Sequence, residues 1–248
     1  MPTTLSIVIP VWHDTEAAVA CLDRLRSPGS PPAEIIFCDA TPDPAERARL
    51  QSHAEARKAR LLMAPRPSRG AQLAQAAAAS SGDVIVFSHA DTHLEAAHLH
   101  ALLERLEVDP AVQAGAFHRD VATLYPALSW SQPIVHWYMA ELGTLYGDQS
   151  PFIRRTRLEQ LGGYPSLPLM EDVAFSDFLR RRLARHELAL LLPPLTTSPR
   201  RFDQRGRWRN KLTNIALTLA WRLGLASAER LRGIYYPESR GANRAKDE

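Results

Sequence analysis

Cysteine is scarce and lysine nearly as scarce. The 248 residues include two cysteines, Cys21 and Cys38, which give neither a disulfide framework nor a C-x-x-C metal or redox pair, so a reducing, cytoplasmic setting is expected. Lysine stands only at Lys58, Lys211 and Lys246, and the remainder of the 30 basic residues are arginine. No apolar run approaches the roughly 18 residues that span a bilayer. The opening MPTTLSIVIPVW lacks the basic region, longer apolar stretch and small-residue cleavage site of a secretory signal. Glycine-rich phosphate loops are missing as well. Neither G-x-G-x-x-G nor G-x-x-x-x-G-K-[ST] follows the first strand, so a Rossmann dehydrogenase or a P-loop nucleotidase lacks its signal. A G-x-S-x-G elbow for Ser-His-Asp hydrolysis is absent too.

What is present is an ordinary globular composition, 45% hydrophobic and 23% charged, which excludes disorder. The length suits one α/β domain with a sizeable core. Short β-branched runs alternate with longer Ala, Leu and Arg segments, the pattern of βαβ units on a parallel sheet. Strands are expected over 5–11, 34–39, 60–63 and 83–88, helices over 15–26, 44–59, 70–80 and 92–106, and an edge strand over 114–118. The second half is less regular. Helices are expected over 126–142, 155–161, 170–185 and 207–224, and strands over 151–154 and 187–192. Residues 237–248 have no apolar pattern and read as a mobile tail.

An open parallel sheet binds ligands beyond the carboxyl ends of its strands. There the sequence places Trp12-His13-Asp14, then Asp39, then Arg66-Pro-Ser-Arg69-Gly70, then His89-Ala90-Asp91-Thr92. Any single Asp or Ser after a strand can be a helix N-cap. Acids and arginines after four successive strands read instead as one ligand rim. Asp91 is a hard oxygen ligand of the kind Mg2+ or Mn2+ takes, with one or two carboxylates supplemented by substrate phosphates.

The ordered segments SIVIPVWHD, FCDATPD, RGAQLAQAA, GDVIVFSHADT and GDQSPFIRRTRLEQLGGYPSLPLMEDVAFSDFLRR resemble the motifs of family 2 glycosyltransferases. More narrowly, HADT and PLMED resemble a bacterial subgroup associated with radical-SAM and selenodomain proteins. The resemblance implies a GT-A fold: a Rossmann-like, mostly parallel open sheet flanked by helices, with a helical C-terminal segment. It implies one domain over 1–236, with a nucleotide-binding half to about residue 118 and an acceptor half from 119. A UDP- or GDP-linked sugar would be the donor, a hydroxyl compound the acceptor, and Mg2+ or Mn2+ the cofactor.

Residue by residue, the resemblance puts Asp14 against the nucleoside, Asp39 against the base and Arg69 near the nucleotide. Pro10, Gln72, His89 and Ala90 fall in the same nucleotide site, Asp91 at the metal, and Glu171-Asp172 at the catalytic acid pair, with Asp172 as general base. Acids at that position also suit a helix N-terminus through the macrodipole. His89 stands where many members have an acid, and Ala74 where an Asn is frequent.

Arg200, Arg201, Arg205, Arg207 and Arg209 crowd one window with Phe202 and Trp208. Arginine grips phosphate through a fork of donors, so Arg200 and Arg201 are candidates for the leaving diphosphate. Trp208, Leu212, Ile215, Leu219 and Leu223 form an apolar stripe on the helix that follows. Such a helix either packs on its own domain or rests peripherally on the inner face of a membrane. Arg180, Arg181, Arg182 and Arg185 read as a solvated face. His89, His93, His98 and His100 invite a zinc site, but positions i and i+2 of a helix do not share a face. Two rivals remain open at this stage: a nucleotidyltransferase on a similar sheet, and an arginine-rich module binding nucleic acid or membrane. A net charge of only +3 argues against nucleic acid.

Overall fold

The computed structural model describes residues 2–120, 133, 145–196 and 207–235, of which 207–212 as backbone alone. The expected helix over 126–142, Arg200 and Arg201, and the 237–248 tail lie outside these residues. Seven strands form one mixed sheet: β1 (Leu5–Val11), β2 (Ala33–Asp39), β3 (Arg60–Met63), β4 (Val84–Phe87), β5 (Ala114–Arg119), β6 (Phe152–Arg154) and β7 (Leu188–Leu195). Their spatial order is β3-β2-β1-β4-β6-β5-β7. Only the two pairs that involve β6 are antiparallel.

Helices cover both faces of this sheet, which is why its strands read as near-continuous apolar runs. Leu5, Ile7, Ile9 and Val11 face one layer, made by α1 (Thr15–Leu25), α2 (Pro44–Ala56) and α4 (Ala96–Val108). Val8, Ile36, Cys38 and Phe87 face the other, made by α3 (Arg69–Ala79), α5 (Arg155–Gln160) and α6 (Glu171–Arg182). A third cluster joins α7 (Arg207–Arg222) and α8 (Ala228–Tyr235) to Leu169, Met170 and Val173. No helix among the described residues is long and apolar enough to cross a membrane.

Two expectations need correction. The strand at 114–118 is not an edge, because β5 sits between β6 and β7, and Gly115 gives it the narrow fit this requires. The edge is β7, which runs on through Pro193 and Pro194, residues an outer strand tolerates because it need not donate on that side. Helix α4 starts at Ala96 rather than at 92, since the His93 N–H is taken by the Thr196 carbonyl (3.0 Å) and His98 with Glu95 forms the cap.

Candidate functional site

Parallel pairing brings the carboxyl ends of β1 to β4 to one rim. Because β6 runs the opposite way, the loop before it, residues 145–151, arrives at that same rim, and the Phe87 N–H bonds the Pro151 carbonyl there (2.8 Å).

The floor is made rigid by buried polar ties. Gln72 on α3 donates from Nε2 to the carbonyls of Val11 (2.8 Å) and Cys38 (2.7 Å), locking together the ends of β1 and β2. Both amide protons are thereby spent, so this side chain positions the rim. Asp39, 1% exposed, accepts the Thr41 N–H (2.9 Å), and Thr41 Oγ1 accepts the His13 N–H (2.9 Å). The left-handed turn at His13 (φ 52°) then delivers Asp14 to the start of α1, whose cap its side chain does not form. Pro10 lies within β1 opposite Cys38. Ala90 is buried, and Arg24 from α1 donates to its carbonyl (3.5 Å) and to that of Thr92 (3.3 Å), holding the turn that carries half-buried Asp91.

Across the rim, α3 and α6 meet N-terminus to N-terminus. Arg69 opens α3 and forms an ion pair through Nε with Glu171 Oε1, while its Nη2 lies 3.9 Å from Asp172 Oδ2. A left-handed Met170 (φ 64°) turns the chain into α6, so Glu171 and Asp172 are its first two residues. Asp172 accepts from the Gly147 N–H at Oδ2 (3.0 Å) and from Val173 at Oδ1 (2.8 Å). A Cβ on Gly147 would come within 2.5 Å of His89 Nε2 and 3.5 Å of Asp172 Oδ2. Glycine there lets the end of β4 and the start of α6 converge. Gly70 does the same for α3, since its Cβ would sit 2.7 Å from the Pro165 carbonyl.

Burial pushes the Glu171 carboxyl up, against the pull of Arg69 and with the help of the Asp172 charge. Its Oε2 has no hydrogen-bond partner among the described residues. Beneath it Tyr164 packs on Phe87 (4.3 Å) and Phe175 (4.8 Å), and burial together with the two carboxylates raises its phenol.

Sequence reasoning missed one group at this rim. Arg119, at the end of β5, pairs with Asp148 and lies 5.6 Å over the Tyr146 ring. Gln149 donates to the Phe117 carbonyl (2.9 Å), and Ser150 meets Ser88 (3.0 Å). The available signal was the Gly-Asp pair in GDQSP, a turn placed just before a short strand.

The donor chemistry at the rim fits a hard cation. Among the described residues no three His, Cys, Asp or Glu side chains gather as a metal-binding group. His98 accepts from the Glu95 N–H (3.2 Å) and His100 meets the Gly29 carbonyl (2.8 Å). Asp91, on a braced turn at the rim, suits Mg2+ or Mn2+, whose shell is completed by phosphate and water.

Residues 6–157 match the family model described as Glycosyl transferase family 2. The chain belongs to glycosyl transferase family 2. The matched stretch holds Asp14, Asp39, Arg69 and Asp91 and ends before Glu171. No curated protein matches the sequence. Among solved structures this glycosyltransferase is similar to glucosyl-3-phosphoglycerate synthase from Mycobacterium tuberculosis in complex with Mn2+, UDP and glucosyl-3-phosphoglycerate. Identity is 20% and the TM-score 0.62, over 90% of this chain and 80% of that one. It is also similar to a mannosyltransferase from Pyrobaculum calidifontis in complex with GDP-Man and Mn2+, at 15% identity and a TM-score of 0.64, over 95% and 70%. The glycosyltransferase has their GT-A fold.

Proposed function

We propose that this glycosyltransferase moves a sugar from a UDP- or GDP-linked donor to a hydroxyl acceptor with inversion, using Asp172 as general base. The observation that carries the reading is the contrast between the two acids that open α6. Glu171 is 1% exposed and committed to Arg69, whereas the Asp172 side chain is 13% exposed and held at the rim by the Gly147 N–H. Asp172 takes the proton of the acceptor hydroxyl as its oxygen bonds the anomeric carbon. The bond from that carbon to the diphosphate oxygen breaks, and the nucleoside diphosphate leaves with the electron pair.

Asp91 would hold Mg2+ or Mn2+ with His89 beside it, and the cation supplies positive charge to the departing diphosphate. Asp14, Asp39 and Pro10 line the nucleoside end, with Gln72 and Ala90 shaping the floor. Arg69 stands at the diphosphate end, and Arg200 and Arg201 are assigned to the diphosphate by their sequence alone. The catalytic unit spans 1–236 with the nucleotide half ahead of residue 119, and HADT with PLMED supports the radical-SAM-associated bacterial subgroup.

A thermal-shift panel of nucleotides and nucleotide sugars, with and without Mn2+, tests the donor class, since a ligand stabilises only the state it binds. Stabilisation by UDP or GDP that requires the metal and is lost in Asp91→Ala is expected. NMR of the product anomer then checks inversion. Pyrophosphate release from nucleoside triphosphates, or full transfer by both Asp91→Ala and Asp172→Asn, would overturn the reading.

A further inference from the structure

The C-terminal helices bury one stripe and expose another. Helix α7 docks through Leu217, Ala220 and Trp221, which with Leu231 of α8 close over Leu169, Met170 and Val173. Arg222 fastens the pair through Asp177 (2.6 Å). The stripe read from the sequence faces the other way. Ile215, Leu219 and Leu223 are 48%, 54% and 69% exposed, and Leu225 and Ile234 are exposed too, at 69% and 55%. The first three recur every fourth residue, and Trp208 and Leu212 fall in the same register seven and three positions ahead of Ile215. A contiguous apolar stripe left in water by a domain that already has its core marks a contact surface.

Charge says which surface. Residues 207–235 hold six arginines and lysines against Glu229, a net +5 within a chain of net +3, so the remainder is net negative. We infer that this face seats the protein on an anionic lipid surface. Helix α7, 16 residues and about 24 Å long, lies in the interface with Ile215, Leu219 and Leu223 in the acyl boundary. The positive charge of the segment draws it to lipid phosphates. Nucleic acid matches the charge but offers nothing to an aliphatic stripe. A second copy matches the stripe but brings two strongly positive segments together.

The test is flotation of the full chain with vesicles of phosphatidylglycerol in phosphatidylcholine and of phosphatidylcholine alone, at low and high salt. Binding to the anionic vesicles is expected, about tenfold or more weaker without phosphatidylglycerol and falling as salt rises. Leu219→Ser combined with Leu223→Ser should lower it about a hundredfold, roughly tenfold per leucine withdrawn. Leu225→Ser with Ile234→Ser should act in the same direction, and an unchanged melting curve shows that each variant folds. Failure of the wild type to float overturns the proposal, as does equal binding by the folded variants. So does loss of dimer mass in light scattering, or of RNA binding, in place of lipid binding.

Discussion

At the amino ends of the strands Glu34 accepts from Ser6 Oγ (2.6 Å), the Ser81 N–H (2.7 Å) and Arg60 (2.7 Å). Asp83 takes both donors of Thr4, and Arg155 closes on the Gly82 carbonyl (2.7 Å) and Ser80 (3.0 Å). At the carboxyl ends Glu171 is more deeply buried, holds one cation shared with Asp172, and keeps an oxygen with no partner among the described residues. The two carboxylates respond in opposite directions. Although partial burial works the other way, hydrogen bonds from Ser6, Ser81 and Arg60 hold Glu34 down at about 2. Burial carries Glu171 up. The amino rim satisfies its carboxylates within the fold. The carboxyl rim ties its floor in the same way but leaves a buried carboxylate oxygen of Glu171 without a partner among the described residues, a perturbed group of the kind found at functional sites.

The sharpest way to break this contrast is Asp172→Asn. It should lower transfer about 10³-fold, in the range of a lost general base, with donor-induced thermal shift and melting temperature retained. A variant with near-normal turnover would place the base elsewhere. Gly147→Ala comes next. The added methyl drives His89 away from the start of α6, and about tenfold or more should be lost in kcat, with a smaller change in donor affinity. Steady-state kinetics separate the two.

The amino rim predicts the reverse pattern. Glu34→Gln should cost about 1–2 kcal/mol in denaturant unfolding at neutral pH, discounted for partial exposure, with turnover unchanged. Because the folded-state value of Glu34 lies below the unfolded one, its contribution is full above about 4.5 and fades as pH falls toward about 2. The smallest effect has the opposite sign. A carboxyl raised on folding is favoured protonated, so the contribution of Glu171 declines as pH rises past its unfolded value. The melting temperature of Glu171→Gln relative to wild type should therefore improve from acid to neutral pH, while that of Glu34→Gln worsens. Parallel pH profiles for the two variants would remove the distinction between the rims.

Much of the frame was legible because it is written locally. Short β-branched apolar runs placed β1 to β4, and Asp43 before Pro44 marks the start of α2, which it caps through the Ala45 N–H (2.7 Å). Helix ends were less accurate. Arg57 and left-handed Lys58 stop α2 short of the expected residue 59, since nothing in a polar run announces that turn. The rim acids were found by type and position, but their division of labour was not. Gln72 and Asp39 look like ligand contacts in the sequence, and the structure spends them first on Val11, Cys38 and Thr41. The stripe on α7 was visible, yet which face packs was not, because Leu217 and Trp221 make an equally plausible inner face.

By itself, then, the sequence determined the α/β class, the glycosyltransferase motifs and the chemical types available at the strand ends, because periodicity and strand-end chemistry lie within a few residues of one another. Only the tertiary structure decided that Arg69 reaches Glu171 across 102 positions, and that Gly147 brings His89 toward Asp172. It also decided that β5 is interior while a leucine stripe is left in water. Each depends on which distant segments share a desolvated space. There, burial and the nearest charge set the behaviour of a side chain more strongly than its neighbours in the chain.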